Sequence, residues 1–173
     1  RSKGIYKSLN CGIGSLDTKI NIKNNIKIVC KKIGADSKKI VLMKQIHSNK
    51  ILFVDKNFRF KKRIIGDAII TNIKKIPIGV LTADCAPVLL YDEKQNLISA
   101  IHAGWKGAYK GIVPKVIKFF IKKKSKPKNI IAVIGPCIDS KNYEVKNDFF
   151  KKFIKKDKHF KKFFISRKNK TYF

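Results

Sequence analysis

Two apolar runs of seven residues, APVLLYD and LISAIHA, flank a short polar segment and constrain the fold more than any other feature. Residues 93–96 between them have the length of a β-hairpin loop, which joins antiparallel strands directly. A hairpin with such a loop places Cys85 opposite His102, Ala103 or Gly104. Directly opposed residues have Cα atoms about 4.5–5.5 Å apart. The hairpin therefore brings a thiol and an imidazole within reach of a shared metal ion or proton.

Each of these residues also has an ordinary structural explanation. Cys85 fits a small buried apolar residue, which is the commonest role of cysteine, and His102 fits a histidine of the core. Their opposition at the ends of two strands is what favours a functional interpretation. Pro87 cannot donate a ladder hydrogen bond, so we expect an edge or a bulge beside Cys85.

A third candidate ligand is His47, which lies in KQIHSNK, where a strand-like pattern is interrupted. Two imidazoles and one thiolate with an open fourth position match a catalytic zinc site, since structural zinc sites close with four protein ligands. The H-x-E and P-C-x-x-C signature of zinc deaminases is absent, as is the H-E-x-x-H of metalloproteases. A metal-free Cys–His nucleophile pair remains the alternative.

The remaining pattern predicts one α+β domain over residues 1–173. Helices are expected at 19–34, at 108–124 and from 144 onward, and Pro114 must start or kink the second of these. The predicted strands are KKIVLMKQIHSNKILFVD, which is interrupted near His47, IIGDAIITN, IPIGVLTAD and the buried strand NIIAVIGP.

Charge and cysteine content bound the function. The chain carries 41 basic and 11 acidic residues for a net charge of +30, and nearly all the excess is lysine. Lysine, isoleucine, asparagine and phenylalanine can all be encoded by A and T, so we attribute the charge to composition bias and expect no specific nucleic-acid binding. A basic nucleic-acid-binding module is the rival hypothesis.

Four cysteines without a CxxC pair favour reduced thiols in the cytoplasm. The absence of an 18-residue apolar run argues against a membrane protein.

The segment HAGWKGAYKG predicts an anion site. Gly104 and Gly107 allow the backbone to approach a ligand closely, and Lys106 adds a positive charge, so phosphate is the expected ligand. Further along, GPCIDSKNYEV contains Asp139 and Glu144, which we expect to be solvated loop carboxylates rather than a general acid or base.

The motifs SKGIYKSLN, KQIH, GDAIITN, VLTADCAPVLLYD, AIHAGWKG and IGPCIDSKNYEV occur in the order seen in the YfiH-like, laccase-domain family, which the chain resembles. That family, once described as multicopper polyphenol oxidases and in part as peptidoglycan editing factors, is now understood as zinc-dependent purine nucleoside phosphorylases. The resemblance implies that His47, Cys85 and His102 bind zinc and carry catalysis. It implies phosphorolysis of adenosine, inosine and S-methyl-5'-thioadenosine, with adenosine deamination in addition.

The resemblance also implies a layered α/β/β/α arrangement with mixed sheets, a cytoplasmic location and no cofactor besides the metal. We expect a monomer. Substrate or phosphate contacts are expected at Lys106, Gly104, Gln45 and Asn10. The family has Arg where this chain has Lys106, and its segments before Arg1 and after Phe173 have no counterpart here. A copper-dependent polyphenol oxidase is the alternative enzyme.

Overall fold

The computed structural model describes residues 1–35, 40–59, 64–166 and 171–172. Its secondary structure consists of four α-helices, seven strands and short 3-10 turns within these ranges. The helices are α1 (Lys19–Lys32), α2 (Trp105–Tyr109), α3 (Ile112–Lys122) and α4 (Asn147–Lys156). The strands are β1 (Ile51–Val54), β2 (Ala68–Thr71), β3 (Ala86–Asp92), β4 (Leu97–Ala103), β5 (Ile131–Ile134), β6 (Val145–Lys146) and β7 (Thr171–Tyr172).

A five-stranded mixed sheet with the order β1-β2-β4-β3-β5 organises the molecule. Strands β1 and β2 are parallel, and the other neighbours are antiparallel. At its centre is the predicted hairpin: β3 and β4 pair Ala86 with Ala103 and Pro87 with His102 across the loop 93–96. Continuing this register by one residue sets Cys85 opposite Gly104, which confirms the hairpin prediction.

Helix α3 covers one face of this sheet and forms the main core with it. Its buried side chains Ile112, Val116 and Phe120 lie four residues apart, so they project from one side of the helix. They pack on alternate residues of the central strands, which share a face because side chains alternate along a strand. The sheet residues of this core are Ala68, Ile70, Val88, Leu90, Leu97 and Ile101.

The opposite face of the sheet is only partly covered. A smaller cluster, formed by Val41, Met43, Val54 and Ile69, lies over one side of it. On the other side Leu89 and Tyr91 of β3, together with Ile131 and Val133 of β5, are exposed. These side chains line an apolar depression of about 400 Å³ that also includes Ile78, Ile98 and Ala100.

Two strand predictions need correction. NIIAVIGP was expected to be a buried strand, but β5 is an edge strand whose four residues are all exposed, because only β3 pairs with it among the described residues. IPIGVLTAD was expected to be a strand, but it forms a single bridge, between Ile78 and Val41. An apolar run reports hydrophobicity and does not reveal which layer covers it.

The helix predictions hold with changed boundaries. The helix expected at 108–124 is divided at Gly111, whose positive φ of 76° precedes α3. Pro114 lies in the first turn of α3, where its missing N–H leaves no hydrogen bond unmade. In the predicted C-terminal helix, α4, Phe149 packs edge to face against Trp105, and Phe153 does so against Tyr109. Helix α4 therefore holds the short helix α2, which follows the hairpin.

The chain is thus a single mixed α+β domain, as expected. Of the predicted α/β/β/α layers, the described residues provide a helical layer on one mixed sheet, and the strand-like segments at 41–44 and 78 contribute only isolated bridges to its second face. Within the described ranges, no helix is both long and apolar enough to cross a membrane.

Candidate metal centre

Three potential metal ligands, His47, Cys85 and His102, converge at one end of the central hairpin. Their ligand atoms all lie within 4.8 Å of one another. Cys85 Sγ is 3.7 Å from His47 Nε2, and the two imidazole rings meet edge to face with centroids 4.7 Å apart. His102 is buried at the end of β4, Cys85 immediately precedes β3, and His47 is exposed in a loop. An imidazole–imidazole–thiolate set of this size fits a tetrahedral metal with one open position.

Gly104 makes room for this convergence. A Cβ atom at residue 104 would lie 2.6 Å from His47 Cδ2, closer than real Cβ atoms approach, and 3.0 Å from Cys85 Sγ, tighter than most Cβ contacts. The space above the glycine is therefore filled by the ligands themselves. Glycine at the end of the hairpin is required by this packing whether or not a substrate also approaches it.

The carboxylate of Asp67 contacts two of the three segments that form the site. It is fully buried immediately before β2, and its Oδ1 lies 2.9 Å from His102 Nδ1. Since this contact occupies Nδ1, the Nε2 atom of His102 is the one available to a metal, which is the usual carboxylate–histidine arrangement around zinc. The same carboxylate accepts hydrogen bonds from the backbone N–H groups of Ile46, His47 and Ser48 and from the Ser48 hydroxyl.

These hydrogen bonds decide the charge of Asp67. Burial alone raises the pKa of a carboxyl group, but the hydrogen bonds from Ser48 and His102, together with the backbone donors at Ser48 and Ile46, outweigh it, so that the pKa of Asp67 lies below its usual value. The residue is therefore a carboxylate at neutral pH. It contacts the ring of one candidate ligand, His102, and the backbone of another, His47.

The loop of His47 is held in an uncommon conformation. His47 has a positive φ of 54°, a backbone conformation that residues other than glycine seldom adopt. The three consecutive backbone N–H groups of residues 46–48, which donate to Asp67, hold it in this conformation. Two residues earlier, the side-chain amide of Gln45 exchanges two hydrogen bonds of 2.7 Å with the backbone of Leu81, four residues before Cys85.

The thiol of Cys85 is protonated in the absence of a metal. Burial, followed by the negative charges of Asp84 and Asp67, raises the pKa of Cys85 above its usual value. This argues against the metal-free Cys–His nucleophile pair, since thiolate is the reactive form. A bound cation would reverse this balance, because a coordinating thiol is deprotonated by the ion.

The other residues singled out in the sequence are distributed as follows. Asn10 donates to Ser15 and Asp17 and accepts from the N–H of Gly12, and none of these contacts involves the three ligands. Lys106 is exposed in α2, with its ammonium 5.5 Å from the ring centroid of the adjacent Trp105. The substrate roles of Asn10, Lys106, Gly104 and Gln45 stay predictions.

The two loop carboxylates behave as expected for solvated groups. Asp139 is exposed and caps the turn Ser140–Asn142 by accepting from the N–H of Lys141, and Glu144 is exposed. Sequence reasoning missed Asp67 and Ser48. The available signal was the Gly66–Asp67 pair directly before an apolar strand, where a carboxylate is buried only if donors surround it.

Fold and site together define an α+β protein with a three-ligand candidate metal centre at the end of a β-hairpin. Comparison with known proteins is consistent with that class. A sequence profile described as multi-copper polyphenol oxidoreductase laccase matches residues 1–173, and the chain belongs to this family.

Relatives and solved structures agree with the assignment. A purine nucleoside phosphorylase of Rickettsia prowazekii is 38% identical over 127 residues, which cover 73% of this chain and 51% of the relative. One of Haemophilus influenzae is 34% identical over 149 residues, covering 86% and 58%. The crystal structure of a hypothetical protein YfiH of Bacillus licheniformis superposes with a TM-score of 0.89 at 30% identity, covering 99% of this chain and 67% of that one. The chain thus spans about half to two thirds of the length of these proteins.

The first prediction concerns Asp67→Asn. The asparagine amide would place an NH2 donor against the N–H donors of residues 46–48 and would lack the negative charge that these donors stabilise. We therefore expect a loss of about 1.5–3 kcal/mol in the free energy of unfolding. Metal affinity should fall about 10- to 100-fold, because His102 loses its orienting partner. Urea denaturation and metal titration measure these two effects. The control Glu93→Gln, in the exposed hairpin loop, should change neither; equal effects of the two substitutions would contradict this role for Asp67.

The second prediction concerns Gly104→Ala. The added methyl group would displace the His47 ring or the Cys85 thiol, so metal binding should be lost while most of the fold remains. Metal content after dialysis and the far-ultraviolet circular dichroism spectrum report on the two properties. Gly14→Ala is the matched control, since a Cβ atom there has no neighbour within 4 Å. Stoichiometric metal in Gly104→Ala would show that the ligands tolerate the collision and that their geometry is not set by this glycine.

Proposed function

We propose that this chain carries the metal centre of a zinc-dependent purine nucleoside phosphorylase. Its substrates are adenosine, inosine and S-methyl-5'-thioadenosine together with phosphate, and adenosine deamination is a second activity. The observation that supports the proposal best is the convergence of His47, Cys85 and His102 with His102 Nδ1 engaged by Asp67. Relatives bearing the purine nucleoside phosphorylase name support the reaction class.

Zinc fits the donor set. A thiolate beside two imidazoles is softer than the oxygen ligands that magnesium and calcium prefer, and three protein ligands leave one position open. The family description names copper and polyphenols, so a laccase-like oxidase is the second candidate. Among the described residues, however, a single group of three ligands comes together, and this is too few for a multicopper centre.

A bound zinc ion would polarise a substrate oxygen or lower the pKa of a coordinated water. The protein residues contribute the rest. Asp67 keeps the Nε2 lone pair of His102 directed at the metal position, and the lowered pKa of its carboxyl preserves this role at neutral pH. Lys106, two residues after Gly104, presents a positive charge where the phosphate co-substrate would be held while it attacks the ribose carbon.

The activity of the whole protein belongs to this proposal as well. The chain spans about half the length of the curated relatives, and the apolar depression over Leu89, Tyr91, Ile131 and Val133 is open. An apolar face of this extent is usually covered in a folded enzyme. We infer that further polypeptide corresponding to the rest of the relatives covers it. A cytoplasmic location and a monomeric state complete the proposal.

The third prediction tests the metal and the reaction together. The purified protein should contain about one zinc ion per chain and, with adenosine and phosphate, should release adenine and ribose 1-phosphate. Cys85→Ser should lose both the zinc and the product, because the thiolate is the ligand that discriminates against harder cations. Elemental analysis and chromatography of the products measure the two quantities. Stoichiometric zinc in Cys85→Ser would overturn the ligand set, and oxidation of a phenol with bound copper would favour the second candidate.

The fourth prediction separates phosphate binding from the chemistry at the metal. Lys106→Ala removes a charge-assisted contact worth about 1.5–3 kcal/mol, so the KM for phosphate should rise about tenfold to a hundredfold. Adenosine deamination needs water but no phosphate and should be unchanged. Lys118→Ala, which removes the same charge from the exposed face of α3, is the control. Equal impairment of both reactions by Lys106→Ala would mean that this lysine has a structural role.

A further inference from the structure

The side chain of Gln45 continues a backbone pairing between the segments that carry His47 and Cys85. Upstream, the N–H of Val41 donates to the carbonyl of Pro77, and the N–H of Gly79 donates to the carbonyl of Val41. At Gln45 the backbone no longer makes this exchange. Instead Nε2 donates to the Leu81 carbonyl and Oε1 accepts from the Leu81 N–H, each at 2.7 Å. The amide thus replaces a backbone peptide and extends the pairing toward the ligands.

The position of this contact matters because both ligands follow it closely. His47 comes two residues after Gln45, and Cys85 comes four residues after Leu81. On the far side, His47 is held by its N–H bond to Asp67, and the Cys85 loop is held by the bond from the Ile138 N–H to the Asp84 carbonyl. Along both segments, the Gln45–Leu81 contact lies between the pairing at Val41 and these two anchors, and it joins the two segments directly.

An amide is required for this double contact. The N–H and the carbonyl oxygen of Leu81 both face the side chain of residue 45. That side chain must therefore offer one acceptor and one donor in one plane, which the amide of glutamine does. A glutamate at this position is isosteric but presents a second acceptor to the Leu81 carbonyl. A methionine has a similar shape and makes neither hydrogen bond.

We propose that Gln45 is a positioning residue for the metal centre: it holds the Cys85 loop at the distance from His47 at which Sγ and Nε2 share one ion. This inference rests on the metal site of the proposed function. It assigns Gln45 a role different from the substrate contact expected from the sequence. Its physical basis is preorganisation, because a ligand set already at its bound spacing loses less conformational freedom when the ion binds.

The test is the zinc affinity of the metal-free protein, measured by competition with a chromophoric chelator. Gln45→Glu and Gln45→Met should each weaken zinc binding about 10- to 100-fold, the range found when groups that orient metal ligands are removed. With Co²⁺ as the probe, the thiolate-to-cobalt absorption band should shift or weaken, since Cys85 is the displaced ligand. The midpoint of thermal unfolding without metal should change little.

The chain's other glutamine provides the matched control. Gln95 lies in the hairpin loop at the opposite end of β3 and β4 from the ligands, so Gln95→Glu makes the same chemical change away from the site. It should bind zinc like the unaltered protein. Gln45 variants with unaltered zinc affinity would overturn the proposal, and a raised KM for nucleoside or phosphate in them would restore the substrate role. Unfolding of both Gln45 variants without metal would also overturn it, and failure of the unaltered protein to bind zinc would overturn the metal centre itself.

Discussion

The buried carboxylate of Asp67 is the interaction on which the site depends. It lies immediately before β2, the neighbour of the central strand β4, and it accepts hydrogen bonds from the loop 46–48 and contacts His102. A buried charge of this kind costs several kcal/mol unless it is surrounded by donors, and here the donors come from the segments that carry two of the three ligands. The same carboxylate therefore joins the sheet to the segments of two candidate ligands.

The hairpin supplies the third ligand through a different constraint. The register of β3 and β4 sets Cys85 opposite Gly104, and the missing side chain at Gly104 leaves the volume that His47 and Cys85 occupy. Gly107 is under a similar restriction, because a Cβ atom there would meet the Ser48 carbonyl at 2.8 Å. The glycines of HAGWKG thus allow the strand-to-helix corner to pack closely against the loop of His47.

Two parts of the structure differ in how completely they are packed. The face of the sheet under α3 is closed by Ile112, Val116 and Phe120, whereas the opposite face leaves Leu89 and Tyr91 in solvent. The candidate metal centre lies at the end of the hairpin. Among the described residues, the three candidate ligands come together within this chain, although the chain covers only part of the length of its relatives.

The sequence by itself determined the hairpin, because two apolar runs joined by a four-residue polar loop favour direct antiparallel pairing, and with it the approach of Cys85 to the end of β4. Two features of the sequence suggested His47 as a ligand: its position where a strand-like pattern is interrupted, and the family motif KQIH. Only the tertiary structure decided that Asp67 orients His102, that Gln45 pairs with Leu81 and that β5 is an exposed edge. These features join residues about 20 to 40 positions apart, or depend on which layer covers a strand, and local periodicity contains no information about either.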